Sequence, residues 1–183
     1  MKKLLFAIAA GCSMLAFQVN ADALSILQNT RIKAQQTVSV NNLTSIFLAT
    51  TNYMAGNKKY PTLEELNVPV RTLANPYHGL GADQKVPDKI TAAAAGYAYF
   101  GAALNGTGAI TAAATTPLAF EKPTVRNDGK LAVLFLSGKV QLVNLRAENC
   151  AGVIEALKKE VKDPNAAIWD KLAAAAKAID EAK

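Results

Sequence analysis

The run Leu131-Ala132-Val133-Leu134-Phe135-Leu136-Ser137-Gly138-Lys139-Val140-Gln141-Leu142-Val143 decides the reading of this chain. Two strand-forming stretches meet at a pair of small residues, so the spacing predicts a β-hairpin with Ser137 and Gly138 as its turn. In the second stretch Val140 and Leu142 face one side while Lys139 and Gln141 face the other, which predicts a half-exposed strand. Working outward toward the N-terminus, Pro117–Glu121 supplies another short strand beside the hairpin. Before it, Gly96-Tyr97-Ala98-Tyr99-Phe100 alternates as a strand does, and Asn105-Gly106-Thr107-Gly108 marks a turn. The segment 96–145 is therefore read as a small antiparallel sheet.

Helices flank that sheet. From Leu24 to Met54 there is neither Pro nor Gly, and Leu43, Ile46, Phe47, Thr50, Tyr53 and Met54 recur at three- and four-residue spacing. That pattern predicts one long amphipathic helix over 24–56, with Leu27, Ala34 and Val38 as a thinner stripe toward its start. The run Thr37-Val38-Ser39-Val40 weakens its middle turn, and Gly56-Asn57 stops it. Residues 57–95 carry Pro61, Pro69, Pro76 and Pro87 and read as an irregular loop region. Within it Thr62 and Glu65 have the form of a capping box over one helical turn, 62–66. The C-terminal stretch 149–183 reads as two helices. Asn149 caps the first, with Cys150, Val153, Ile154, Leu157 and Val161 on one face. Asp163-Pro164 opens the second, whose buried stripe is Ile168, Trp169, Leu172, Ala176 and Ile179. The fold class is thus α+β: a long N-terminal helix packed on a small antiparallel sheet, followed by C-terminal helices.

The N-terminus reads as an export signal. Met1-Lys2-Lys3 precedes the apolar stretch Leu4–Phe17 and small residues at cleavage spacing, which predicts a signal peptide over 1–21 cut between Ala21 and Asp22, with Ala23 as the second choice. The apolar stretch is too short to span a hydrocarbon core that needs about 20 residues. Ala9-Ala10-Gly11-Cys12 resembles a bacterial lipobox, so lipidation at Cys12 is the alternative processing. The expected location is the periplasm or the exterior of a Gram-negative-type bacterium, or a membrane-tethered lipoprotein. Membrane attachment is expected only if Cys12 is lipidated or the signal stays uncleaved. Residues 22–183 then form a single domain.

Composition limits the chemistry. The 183 residues are 51% hydrophobic, with 20 basic and 14 acidic side chains, one His and two Cys. That is enough apolar material for a core, and too little His and Cys for a multi-His site or a four-cysteine cluster. Losing Lys2 and Lys3 leaves a modest basic surplus, and Lys58-Lys59 and Lys158-Lys159 are the only doublets. No stripe follows a nucleic-acid backbone, so no nucleic-acid partner is expected. After cleavage Cys150 would be the single cysteine, which excludes an internal disulfide. It lies on an apolar helix face and reads as a small buried hydrophobe. His78 sits in the Pro/Gly-rich loop Asn75-Pro76-Tyr77-His78-Gly79 and reads as a surface residue; pairing it with Ser137 lacks the strand-to-helix elbow that a nucleophilic serine needs. Asn127-Asp128-Gly129 with Asp83 or Asp88 could offer oxygen ligands to calcium, but reads first as a polar turn feeding the hairpin. Trp169, Tyr97, Tyr99 and Phe100 read as core and sheet surface rather than a ligand platform. No catalytic, cofactor or metal site is expected.

Two stretches together carry a family resemblance. Ala34-Gln35-Gln36-Thr37-Val38-Ser39-Val40-Asn41-Asn42-Leu43-Thr44-Ser45-Ile46-Phe47-Leu48-Ala49, leading to Tyr53 and Asn57-Lys58-Lys59-Tyr60-Pro61, resembles the post-anchor part of type IV pilin-like proteins. Gly96–Ala102 and Pro117–Pro123, ending in Val133-Leu134-Phe135-Leu136-Ser137-Gly138-Lys139-Val140, is similar to the tail of the type II secretion pseudopilin-like group of planctomycete- and verrucomicrobium-type bacteria. The resemblance spans roughly residues 30–145. It stops short of the prepilin processing motif, because residues 1–63 contain no Glu, and Arg126 falls near the place of the family's upstream histidine. It implies a pilin-like fold and a non-enzymatic structural or assembly role. The partners it implies are other protein subunits, either further copies of the chain or secretion and pilus components. The second reading, from the residues, is a periplasmic small-ligand or calcium-binding module built on the loop region 57–95 with Tyr60, Tyr77 and His78.

Overall fold

The structure is a computed structural model and describes residues 2–74, 88–125, 129–162 and 164–182, with side chains from Leu24 onward, Val125 excepted. It has the expected α+β architecture. Helix α1 (Lys2–Asn57) is followed by α2 (Val70–Leu73), β1 (Tyr97–Tyr99), α3 (Gly101–Leu104), β2 (Pro117–Glu121), β3 (Lys130–Phe135), β4 (Val140–Asn144), α4 (Cys150–Glu160) and α5 (Ala166–Glu181). Two compact units divide the chain, Met1–Thr37 and Val38–Lys183. The first holds the N-terminal part of α1. The second holds the sheet and the remaining helices.

In the second unit α1 buries Ser39, Leu43, Ile46 and Thr50, a stripe at four-, three- and four-residue spacing. The β-branched residues at Thr37–Val40 do not break the helix, because burial of this stripe outweighs propensity differences of a few tenths of a kcal/mol per residue. The helix ends where the Lys58 backbone turns left-handed, at φ 55°, and its N–H returns to the Met54 carbonyl at 2.9 Å. The Asn57 side chain satisfies the Tyr53 carbonyl.

The strands form an antiparallel meander in the order β1-β2-β3-β4, each paired with its neighbour in sequence. Pro117 is tolerated at the first position of a central strand, next to a register shift between Pro117 and Ala119. Register divides the side chains between two faces. Tyr97, Tyr99, Ala119, Glu121, Ala132 and Leu134 share the face toward α1, while Ala98, Phe120 and Val133 point the other way. Both faces are buried across β1, β2 and β3, so the sheet lies inside the unit rather than on its surface. On the second face Phe100 and Phe120 meet at 5.2 Å between ring centres. Ile154 and Leu157 of α4 and Ile168, Trp169 and Leu172 of α5 join the same core and close that side. β4 is the least buried strand, and the alternation read for it is not kept: Gln141 and Leu142 are both exposed while Val140 and Val143 are half buried, because β4 lies at the edge of the sheet.

Several boundaries differ from expectation. Leu136 belongs to the hairpin turn rather than the strand: Gly138 N–H donates to the Phe135 carbonyl at 2.9 Å, and Gly138 takes the left-handed φ of 83° that closes a three-residue connection. Thr62–Leu66 is a turn and not a helix, although its capping box forms in both directions, Thr62 N–H to Glu65 Oε2 at 2.8 Å and Glu65 N–H to Thr62 Oγ1 at 3.3 Å. One turn flanked by Pro61 and Pro69 is too short to propagate. Helix α5 begins at Ala166, with Asn165 rather than Asp163 as its cap, because the Asn165 side chain reaches the Ile168 N–H and leaves Pro164 outside the helix. Val161 forms the C-cap of α4 and lies beyond its last turn. Short elements absent from the sequence reading, α2, α3 and the 3-10 turns Ala109–Ala112 and Pro123–Val125, are three or four residues long, too short to carry a period.

Candidate functional site

A polar seam locks α1 onto the sheet. The Tyr97 hydroxyl lies 3.2 Å from Ser39 Oγ and accepts from Asn42 Nδ2 at 3.1 Å. One strand step along, the Tyr99 hydroxyl lies 3.0 Å from Thr50 Oγ1, which also donates to the Ile46 carbonyl. Three short polar side chains of α1 thus meet two tyrosines on one sheet face, and each buried hydroxyl is satisfied. Burial pushes the Tyr97 hydroxyl up to about 12, against the opposing pull of Ser39 and Asn42; burial raises Tyr99 further. The expected sheet-surface tyrosines are therefore structural. Trp169 and Phe100 are likewise core, 3% and 1% exposed.

The loop after α1 is tied down in the same manner. Tyr53 donates to Glu65 Oε1 at 2.7 Å, and Lys59 lies 3.6 Å from the same oxygen. The Thr62 N–H, then the Tyr53 hydroxyl, hold the Glu65 carboxyl below its ordinary range. Asn105 clamps the backbone of Tyr60 from both sides, accepting from its N–H at 2.7 Å and donating to its carbonyl at 3.0 Å. Of the residues proposed for a ligand loop, Tyr60 is thus half buried and committed to the fold. Tyr77 and His78 lie outside the described residues, as do Asp83, Arg126, Asn127, Asp128 and Asp163. Asp88 is exposed, and among the described residues no group of three or more His, Cys, Asp or Glu could hold a metal ion. Ser137 is exposed in the hairpin turn, while a Cβ on Gly138 would meet the Phe47 ring at 2.7 Å. Ala21, Asp22 and Cys12 fall on α1 where side chains are not described. Among the described residues no helix is long and apolar enough to cross a membrane.

Cys150 is buried, as its helix face predicts, in a setting that sequence reasoning missed. Asp180, near the end of α5, accepts from the backbone N–H groups of Cys150 and Ala151 at 2.8 and 3.0 Å, while Asn149 accepts from Gly152 at 2.8 Å. The free amides at the start of α4 are thereby satisfied partly from another helix, thirty residues away in sequence. Burial, then the hydrogen bond to Asp180, pushes the Cys150 thiol up to about 12, so it is a poor nucleophile. Lys122 lies in the same cleft of about 320 Å³ and donates to the Ala92 and Ala93 carbonyls. These raised values carry a sign. A group whose folded pKa exceeds its unfolded value stabilises the fold below the unfolded value and loses that contribution as pH climbs. Stability is therefore expected to fall above pH 9, where an unfolded thiol ionises, and further above pH 10 for the tyrosines. Thermal melts against pH check this: Cys150→Ala should move the onset of alkaline loss from about pH 9 toward pH 10.

Two accessible features stand out among the described residues. In the unit Met1–Thr37, Leu24, Ile26 and Leu27 are 59%, 63% and 66% exposed, and Leu24 and Leu27 share one face of α1. In the unit Val38–Lys183 a cleft of about 700 Å³ runs beside β4, lined by Gln141–Arg146 on one side and Ala156, Leu157, Glu160 and Val161 of α4 on the other. No family model, no curated protein and no solved structure matches the chain.

Proposed function

We propose that the protein is an exported, non-enzymatic structural or assembly protein of pilin- or pseudopilin-like kind that works through protein–protein contacts. The observation that carries this reading is the exposed pair Leu24 and Leu27, three residues apart on one face of α1. Two neighbouring exposed leucines make a contiguous apolar surface of the kind that a partner covers. Among the described residues Cys150 is buried with its pKa raised, the Tyr97 and Tyr99 hydroxyls meet side chains of α1, and the Glu65 carboxylate is held in a capping box.

The test is association of the chain purified from its native host, by sedimentation and by co-purification from cross-linked cells. Leu24→Glu with Leu27→Glu is expected to weaken the complex at least about tenfold, since two exposed leucines entering an apolar contact contribute roughly 1.5–3 kcal/mol each. Unchanged association in the double variant would sink the reading. Intact mass and N-terminal sequence from fractionated cells test the export half. A chain starting at Asp22 or Leu24 supports ordinary export, a diacylated Cys12 makes a tethered lipoprotein, and an uncleaved membrane-bound chain supports entry into a filament.

A further inference from the structure

The outer side of β4 is an open strand edge. The Phe135 N–H bonds the Lys139 carbonyl and the Leu145 N–H bonds the Gly129 carbonyl, which fixes the alternation of the β3–β4 ladder. Gln141 and Val143 spend their backbone groups on β3, and those of Val140, Leu142 and Asn144 point away from it. Native sheets blunt such an edge with proline, a bulge or an inward charge. Between Val140 and Asn144 β4 has none of these: its register to β3 is unbroken, and its side chains are Val, Gln, Leu, Val and Asn. Leu142 stands 39% exposed in the middle.

We infer that this edge is a self-pairing interface, where a second copy of the chain docks its own Val140–Asn144 antiparallel about Leu142 and continues the sheet. The register is self-complementary. Leu142 faces Leu142 of the second copy in a hydrogen-bonded pair, and Val140 faces Asn144 on either side, so the outward backbone groups are matched. The two exposed leucines cover each other, and Gln141 faces Val143. Charge sets the direction. In the antiparallel pairing Lys139 comes opposite Leu145 of the second copy, at the cleft lined by Glu160 as well as Arg146. A parallel arrangement would instead set Lys139 on Lys139 and Arg146 on Arg146. This surface is separate from the α1 patch, so the two readings stand or fall independently.

The experiment is sedimentation velocity of the full chain over a wide concentration range, joined to amide hydrogen exchange and oxidative cross-linking. The wild type is expected to dimerise, with exchange at Val140, Leu142 and Asn144 slowing as concentration rises. Leu142→Asp should weaken the dimer at least about tenfold through like charges set face to face. Leu142→Pro removes an outward N–H without touching the β3 ladder and should abolish it. Thermal melts confirm that each variant is folded, and the second serves should the first fail. Leu142→Cys should cross-link to its mate across about 5.5 Å, inside disulfide reach, whereas Asn144→Cys lies about 13 Å from its own mate and should stay at the wild-type background. A chain that is monomeric throughout, a dimer that survives Leu142→Asp, or equal cross-linking at both cysteines overturns the inference. So does a dimer lost in Leu24→Glu/Leu27→Glu and kept in Leu142→Asp, which assigns self-association to α1. Protection of β4 amides only on addition of a different protein's strand overturns it as well.

Discussion

Phe120→Ala is expected to destabilise the chain by about 3–5 kcal/mol, the range for removing a fully buried phenylalanine. Phe120 lies in the central strand β2, is 0% exposed, packs its ring on Phe100 at 5.2 Å, and has Ala98 and Val133 as its paired neighbours. Those neighbours are themselves fully buried in a sheet held on both sides, so the cavity has little room to collapse. For a chain of this size each kcal/mol moves the melting temperature by about 2–4 °C, so the drop should be roughly 6–20 °C. Phe120→Leu keeps most of the volume and should lose less than half as much. A shift of only a degree or two in Phe120→Ala would mean that α4 and α5 do not close this face.

Gly138→Ala is the second large effect, at about 2–5 kcal/mol, and it arises from two separable causes. The backbone at Gly138 has φ 83°, where a Cβ costs about 1–2 kcal/mol. The added Cβ also falls 2.7 Å from the Phe47 ring on α1, an overpacking worth about 1–3 kcal/mol. Trimming the ring separates the two: in Phe47→Leu, the further change Gly138→Ala should cost at least about 0.5 kcal/mol less than in the wild type. Additive losses would place the whole cost in the turn and remove Phe47 from the account. The hairpin turn read from Ser137 and Gly138 is thus also a contact with the long helix.

Much of this fold was legible because its signals are local. The hairpin announced itself by two strand-forming runs around a small-residue pair, α1 by the spacing of Leu43, Ile46 and Thr50, and α4 by Asn149 before its apolar face. The capping box of Thr62 and Glu65 formed as read, but two prolines confined it to a turn. The start of α5 was misplaced because Asp-Pro is a strong local signal, while the choice of Asn165 depends on where the helix must lie to bury Ile168 and Trp169. The candidate surfaces were less legible. Leu27, Ala34 and Val38 read from sequence as a thinner continuation of the buried stripe, yet all three are exposed, since a hydrophobic period does not say whether anything covers it.

The sequence by itself determined the class of this protein: the order of helix, strands and helices, the hairpin and its glycine, the Asn149 cap, and a chemistry poor in His and Cys. These follow from backbone propensities and side-chain period, which act within a few residues. Tertiary structure alone decided what the polar residues are for. Ser39, Asn42 and Thr50 meet Tyr97 and Tyr99 across about fifty residues of chain, and Asp180 caps a helix that begins thirty residues before it. It also decided which strand keeps an open edge, because edge and centre depend on strand order. Pairings this distant leave no period in the sequence, so only the folded chain reveals them.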